Sequence, residues 1–211
     1  MNTTRDSNAV LDADVKTTQF FDGNNYFIDE KVNFFKFENT YKVFDEGGAN
    51  IGSIKQRLTI GQKLLRLLIN KKMLPFKLEI KDVNDVLLAS ISRGWTFFMS
   101  KIVITSGDGI TIGTVRQKFK FFKPTFRIFN YEEKQIAEIN GDWKAWKFSI
   151  QDESGAQIGT ISKKWAGVLQ EVFTSADKYH VNIDQSYANM MNKIVILSAA
   201  ITIDMVLKES K

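Results

Sequence analysis

The 211-residue chain contains no cysteine, a single histidine and two prolines. Without thiols it can form no disulfide framework, zinc finger, catalytic cysteine or S-palmitoyl anchor, and His180 alone supplies no imidazole cluster for a metal. Long apolar runs are scarce as well. The main one, Ile194 to Leu207, has 14 residues, is broken by Asp204 and is flanked by Lys193 and Lys208. A bilayer span needs about 20 mostly apolar residues. The start MNTTRDSNAVLDADV has neither a basic region nor an apolar core, so no secretory signal is expected. No phosphate loop, metal cluster or nucleophile motif is present, and the chain is not expected to be an enzyme. Among what remains, 44% hydrophobic and 25% charged residues describe an ordinary globular domain. The 17 phenylalanines and the net charge of +5 are the entries to place.

Residues Met1 to Asp22 carry Arg5 and Lys16 against Asp6, Asp12, Asp14 and Asp22, which leaves +7 for the rest. This stretch, 1–22, is polar and short of large apolar residues, and reads as a disordered tail before a single domain over 23–211. The densest basic run is Arg116, Lys118, Lys120, Lys123 and Arg127. In a strand, alternate side chains share a face, so Arg116, Lys118 and Lys120 fall on one side and Val115, Phe119 and Phe121 on the other. Such a row is either a solvated strand face or a stripe that attracts anionic head groups.

A repeat underlies the strands. An apolar residue is followed by Val or Ile two later and a turn former four later, then by Ile or Leu ten later, Gly or Ala eleven later, and Ile or Val thirteen later. Five segments fit, starting at Tyr41, Leu78, Ile102, Phe126 and Phe148. Each reads as a β-hairpin, with Gly48, Gly109 and Gly155 able to take positive φ in the turns. A bulge at the small residue eleven along would keep the apolar residues of the return strand on one side. The long gap between the first two units holds Ile60 to Met73, an amphipathic pattern with Ile60, Leu64, Leu67 and Leu68 on one helical face and Lys63 and Arg66 elsewhere. It predicts a basic helix inserted between hairpins. Tyr26 to Val32 and Tyr179 to Ile183 supply a first and a last strand, making twelve, and His180 in the latter reads as a solvated residue. The run Ile194 to Leu207 is hydrophobic nearly all round, which requires protein on every side. The fold expected is therefore mainly β: a closed twelve-stranded antiparallel barrel around a buried C-terminal hydrophobic helix, with the phenylalanines largely facing inward.

The segment Phe148 to Ile183 resembles the signature region of the phospholipid scramblases. The features are Asp152, Gly155, Ile158-Gly159, Lys164-Trp165, Gly167, Glu171, Phe173-Thr174 and Ala176-Asp177. YFIDEKV and YKVFDEGGANIG resemble the related LURP-one-related proteins of the Tubby C-terminal-like superfamily. The resemblance implies the same barrel around a central helix, and contact with phospholipid: calcium-stimulated lipid scrambling in one branch, phosphoinositide binding in another. Against a calcium site, Ser175 stands where the family has an acidic residue, leaving Asp177 and then Asp184. Calcium takes six to eight oxygens, so no cofactor is expected and calcium is left open.

These observations favour a scramblase-family protein that binds acidic phospholipid head groups through Arg116, Lys118, Lys120, Lys123, Lys63 and Arg66. Its expected place is the cytoplasm, peripheral to the inner face of the plasma membrane. The alternative is a nucleic-acid-associated or protein-interaction module on the same barrel. Nucleic acid is the weaker partner, because the aromatics alternate onto the face opposite the cations. Trp95, Trp143, Trp146 and Trp165 are expected in the core or at the barrel rim, with interfacial anchoring as the functional alternative for Trp143 and Trp146.

Overall fold

A computed structural model describes residues 20–32, 39–58, 61, 74–95, 101–120, 123–142, 144–163, 178–187 and 189–208. Twelve strands form a closed antiparallel barrel in which sequence neighbours pair all the way round. They are β1 (Asn25–Val32), β2 (Asn39–Phe44), β3 (Asn50–Arg57), β4 (Phe76–Asp82), β5 (Leu87–Arg93), β6 (Lys101–Ser106), β7 (Thr111–Lys120), β8 (Lys123–Asn130), β9 (Gln135–Asp142), β10 (Lys147–Asp152), β11 (Gln157–Ser162) and β12 (Lys178–Ile183). Closure comes from β1 pairing β12, with Tyr26 opposite Val181 and Ile28 opposite Tyr179. The helix α1 (Met190–Lys208) follows and packs against β7, β8, β9 and β12.

The five repeat units are the hairpins β2–β3, β4–β5, β6–β7, β8–β9 and β10–β11, and their turns are built alike. The opening residue (Asp45, Asp82, Ser106, Asn130 or Asp152) donates its N–H to the carbonyl four residues on. Its own carbonyl accepts the N–H three residues on, at 3.0–3.2 Å. All five also use a side chain: Oδ1 of Asp45, Asp82, Asn130 and Asp152 accepts the N–H groups two and four residues later, at 2.8–3.0 Å, and the Ser106 hydroxyl accepts the N–H four residues later at 3.3 Å. This is the local hydrogen bonding that makes Asp and Asn turn formers. The third residue after the opener has positive φ in every turn: Gly48, Asp85, Gly109, Glu133 and Gly155. Asp85 and Glu133 therefore occupy a conformation that glycine takes without strain.

Each return strand carries a bulge, one residue earlier than the sequence pattern suggests. Val43 faces Gly52 and Phe44 faces Asn50, so Ile51 is the extra residue. In the other four hairpins Leu88, Ile112, Ile136 and Ile158 are skipped in the same way. The small residue that follows is regularly paired and points inward. Its size is set by what lies beneath: a Cβ on Gly113 would sit 2.6 Å from Cγ1 of Val195 on α1. Ala89 and Ala137 hold the equivalent places fully buried.

The helix is the core of the barrel. Residues 193–203 are buried without interruption, as are the inward Ile54, Leu78, Ile91, Ile104, Val115 and Ile139 of the wall. Thr202 satisfies its hydroxyl by donating to the Ser198 carbonyl one turn back, at 2.7 Å. No helix of the described residues is long and apolar enough to cross a membrane.

Four expectations change. The tail does not reach residue 22: residues 20–22 form a helical turn, and Phe20 and Phe21 enter the core, because two adjacent phenylalanines can close the barrel mouth beside α1. His180 is half-buried, not solvated, since Phe27 of the neighbouring strand stacks on it with centroids 4.5 Å apart. The wall is lined chiefly by Ile, Val and Leu. Phe76, Phe126 and Phe148 face inward, but Phe27, Phe44 and Phe129 lie on the outside, half-buried against neighbours. The bulge lies at the residue before the small one. The basic helix expected over Ile60 to Met73 falls outside the described residues apart from Gly61.

Candidate functional site

The antiparallel order gives the barrel two rims. The turn rim holds the five tight turns, and the far rim is made by the other ends of the same strands. The basic run lies on β7 and β8. Their pairing runs from Gly113 opposite Asn130 to Lys120 opposite Lys123. Val115 and Gln117 are buried and Arg116 is exposed, as strand alternation requires.

Arg116 lies opposite Arg127, a like-charge pair that would be destabilising alone. Acidic partners offset it. Glu133, at the positive-φ corner of the β8–β9 turn, binds both Arg116 and Lys101, the latter at 3.3 Å. Glu138 accepts from Arg127 Nε at 3.0 Å. The Arg116 guanidinium also lies 4.4 Å from the Phe129 ring centre. Arg116 is thus held within an ion-pair network on the wall. Beyond it, Lys118 is placed opposite Thr125, and Lys120 and Lys123 face each other in register at the end of the hairpin; only their backbone is described. Lys63 and Arg66 lie outside the described residues.

A second basic and aromatic cluster forms on the far rim between β9, β10 and β11. Oδ1 of Asp142 accepts the N–H groups of Lys144 and Ala145 at 2.8 and 3.3 Å, turning the chain so that Trp146 adopts φ 49°. The Trp146 carbonyl accepts the Lys163 N–H, and the Lys163 ammonium sits 4.4 Å above the indole. The same indole packs on Phe148 and Tyr179 at 6.0 Å, so it bridges core and surface. Lys144 and Lys147 are exposed beside it, and Trp95 is 54% exposed on the same rim after β5. Trp143 and Trp165 lie outside the described residues. Sequence reasoning singled out the tryptophans, but the neighbours Lys144, Lys147 and Lys163 are scattered singly and gave no run to notice.

Two titratable groups, one buried and one half-buried, also have polar partners. Lys193 on the first turns of α1 donates to the Asp22 carbonyl at 3.0 Å and to Asn24 Oδ1 at 2.9 Å, tying the helix to the segment that leads into β1. Burial holds its ammonium below the ordinary lysine pKa. His180 Nε2 lies 2.9 Å from Asn25 Oδ1, which Asn182 Nδ2 also approaches at 2.9 Å, and burial lowers the imidazole pKa. Its polar partner is the Asn25 side-chain amide, which cannot exchange a proton with it as a catalytic carboxylate would. Ser175 and Asp177 lie outside the described residues, while Asp184 Oδ1 is occupied by the Ser186 N–H and hydroxyl at 2.8 and 2.7 Å. Among the described residues no group of three or more acidic or imidazole side chains could hold a metal.

The family model described as Scramblase matches residues 28–210, which takes in nearly the whole barrel and its helix. The chain belongs to the scramblase family. A phospholipid scramblase family protein of Schizosaccharomyces pombe is 24% identical over 174 residues, 77% of this chain and 45% of that protein. Human phospholipid scramblase 1 is 29% identical over 119 residues, 53% of this chain and 37% of that protein. The chain thus spans less than half the length of these two scramblase relatives. An X-ray structure of an Arabidopsis thaliana protein superposes with a TM-score of 0.46 at 12% identity, over 83% of this chain and 90% of that one.

Proposed function

We propose that this scramblase-family barrel is a peripheral, non-enzymatic phospholipid-interacting protein that binds acidic head groups at the inner face of the plasma membrane. The observation that carries the reading is the register of β7 and β8, which sets Lys120 against Lys123 with Lys118 two residues behind. The nearby carboxylates Glu133 and Glu138 are engaged further back, by Arg116, Lys101 and Arg127. Arg116 then positions the wall of the site and is a weaker ligand than the lysines beyond it. Lys63 and Arg66 extend the same basic surface in this reading. Each lysine close to an anionic leaflet is worth about 1 kcal/mol. Two relatives carry phospholipid scramblase in their names, which supports lipid as the partner.

Lipid scrambling is the further step of this proposal. Among the described residues the barrel interior is filled by α1 and the inward side chains of the wall, with no polar lumen for a head group, so in this reading lipid exchange runs along the outside of the protein. Flotation of the full chain with phosphatidylcholine vesicles and with phosphatidylcholine–phosphatidylserine vesicles, with and without calcium, tests the binding. Anionic vesicles should retain the protein at low salt, and Lys118→Glu with Lys120→Glu should weaken that retention. Equal binding by this variant, or preference for single-stranded DNA under the same conditions, overturns the reading. Dye quenching in reconstituted vesicles separates binding from scrambling.

A further inference from the structure

Two destabilising features meet on the outer wall. Lys101 of β6, Arg116 of β7 and Arg127 of β8 lie directly opposite one another in the strand register, so three cations stand abreast on three adjacent strands. Like charges so placed destabilise a sheet, because paired residues hold their Cβ atoms only about 4.5–5.5 Å apart. The second feature is Glu133, which takes φ 60° at a corner where Gly48, Gly109 and Gly155 serve in three other turns. A left-handed backbone is unfavourable for any residue with a Cβ. The exposed ion pairs that Glu133 makes with Lys101 and Arg116 contribute little stability against it. Folding alone therefore favours glycine at 133 and fewer cations in the row.

What these residues do provide is a place for an anion. Glu133 sets its two carboxylate oxygens on two different cations, Oε1 on Lys101 Nζ and Oε2 on Arg116 Nη2, as a bridging oxyanion would. The Phe129 ring, 4.4 Å from the Arg116 guanidinium, holds the plane of that fork and leaves its edge to the oxyanion. Lys101, Arg116 and Glu133 are each about half exposed, so the carboxylate can leave and a ligand can reach the cations from solvent.

Asp85 makes a second bridge of the same kind. It too has positive φ, 66°, and binds two lysines, Lys55 at 2.6 Å and Lys81 at 3.2 Å. There the wall supplies its own carboxylate, for Glu79 lies opposite Lys55 and 3.9 Å from Lys81. Removing Asp85 leaves those lysines beside a resident acid. In the row of three cations the wall acid is Glu138, and it stands at the Arg127 end, away from Lys101.

We propose that Lys101, Arg116 and Arg127 form a binding site for a phosphate monoester, and that Glu133 is the chain's own anion standing in it. A monoester carries nearly two charges above a second pKa of about 6 and displaces a singly charged carboxylate, while the phosphodiester of a head group carries one and does not. Toward singly charged head groups Glu133 keeps the row closed, which leaves their binding to the lysines beyond Arg116. The site deepens the proposed head-group binding, and for a lipid-borne ester it rests on that reading.

Flotation of the full chain tests it, comparing phosphatidylcholine vesicles that carry phosphatidylserine with vesicles that carry phosphatidic acid, at equal zeta potential and about pH 8. The parent should prefer phosphatidic acid about fivefold, the effect of one charge near a leaflet, and Lys101→Gln should erase that preference. Glu133→Gly should raise retention on phosphatidylserine about fivefold, while Asp85→Gly, with the same change of net charge, leaves it as it was. Glu133→Gln keeps the side chain and should act like Glu133→Gly, which covers a glycine variant that fails to fold. Calorimetry with glycerol phosphate separates the sources. Saturable heat that Lys101→Gln removes assigns free phosphate esters to the site, and a vesicle preference without such heat assigns the lipid-borne ester. Equal retention on both anionic vesicles with no such heat, or equal gains from Asp85→Gly and Glu133→Gly, overturns the site and leaves head-group binding standing. No retention on either vesicle, with no heat, overturns both.

Discussion

Single positions are constrained by what lies a bond or two beyond them. At Gly113 the added methyl of Ala would press on Val195 of α1 and on the Phe129 carbonyl. Gly113→Ala should therefore destabilise the barrel by about 1–3 kcal/mol in chemical denaturation. Ala137→Gly, at the equivalent site of another hairpin, should cost only about 0.5–1 kcal/mol, through backbone entropy. His180 gives a pH dependence of known sign. Its folded pKa is depressed below the ordinary 6.5 by burial, so the unfolded chain binds more protons just below that pH. Stability should fall as the solution is acidified below about 6.5, and a flat profile in His180→Gln would tie the loss to this residue. If both proteins lose stability equally, the carboxylates of the turns are responsible instead.

At the scale of elements, the turns are interchangeable because their bonding is internal. Replacing Asp82 to Val86 by the sequence of Asp152 to Ala156 preserves the Oδ1 acceptor and puts glycine where Asp85 has φ 66°. The chimaera should unfold cooperatively at a temperature equal to or above that of the parent; loss of cooperativity would show that the ion pairs of Asp85 with Lys55 and Lys81 matter more than turn strain. The helix is not interchangeable in this way. Leu197 is wholly buried in the middle of α1, and Leu197→Ala should cost about 2–5 kcal/mol. The hairpins were legible in the sequence because an Asp, Asn or Ser opener, joined in three of the five turns by a glycine three residues later, acts within five residues. The position of the bulge was not, because pairing decides it: the pattern of offsets ten, eleven and thirteen suits a bulge at either of two neighbouring residues, and only the cross-strand partner of Gly52 or Ala89 selects one.

The molecule as a whole is a filled barrel whose last strand closes on its first. Retention on anionic vesicles should decline steeply as salt rises from about 0.01 M, where charges act over about 30 Å, to about 1 M, where they act over about 3 Å. Retention that is insensitive to salt in a flotation assay would point instead to apolar insertion. The candidate site was only partly visible beforehand. Arg116, Lys118, Lys120 and Lys123 form a run that any strand reading would notice, yet the engagement of Arg116 by Glu133 depends on a turn corner 17 residues away. Lys144, Lys147 and Lys163 become one cluster only when β10 and β11 pair.

The amino-acid sequence by itself determined the twelve strands, their hairpin pairing and the need for a closed wall around the C-terminal helix, because alternation, turn chemistry and all-round hydrophobicity are local properties. The tertiary structure decided which charges share a rim. Apart from neighbours such as Lys120 and Lys123, these terminal residues are separated in sequence, and only antiparallel closure collects the ends of β3, β5 and β7 with the starts of β6, β8, β10 and β12 on one edge. Net charge is a sum that composition fixes, whereas its direction in space is set by the path of the chain.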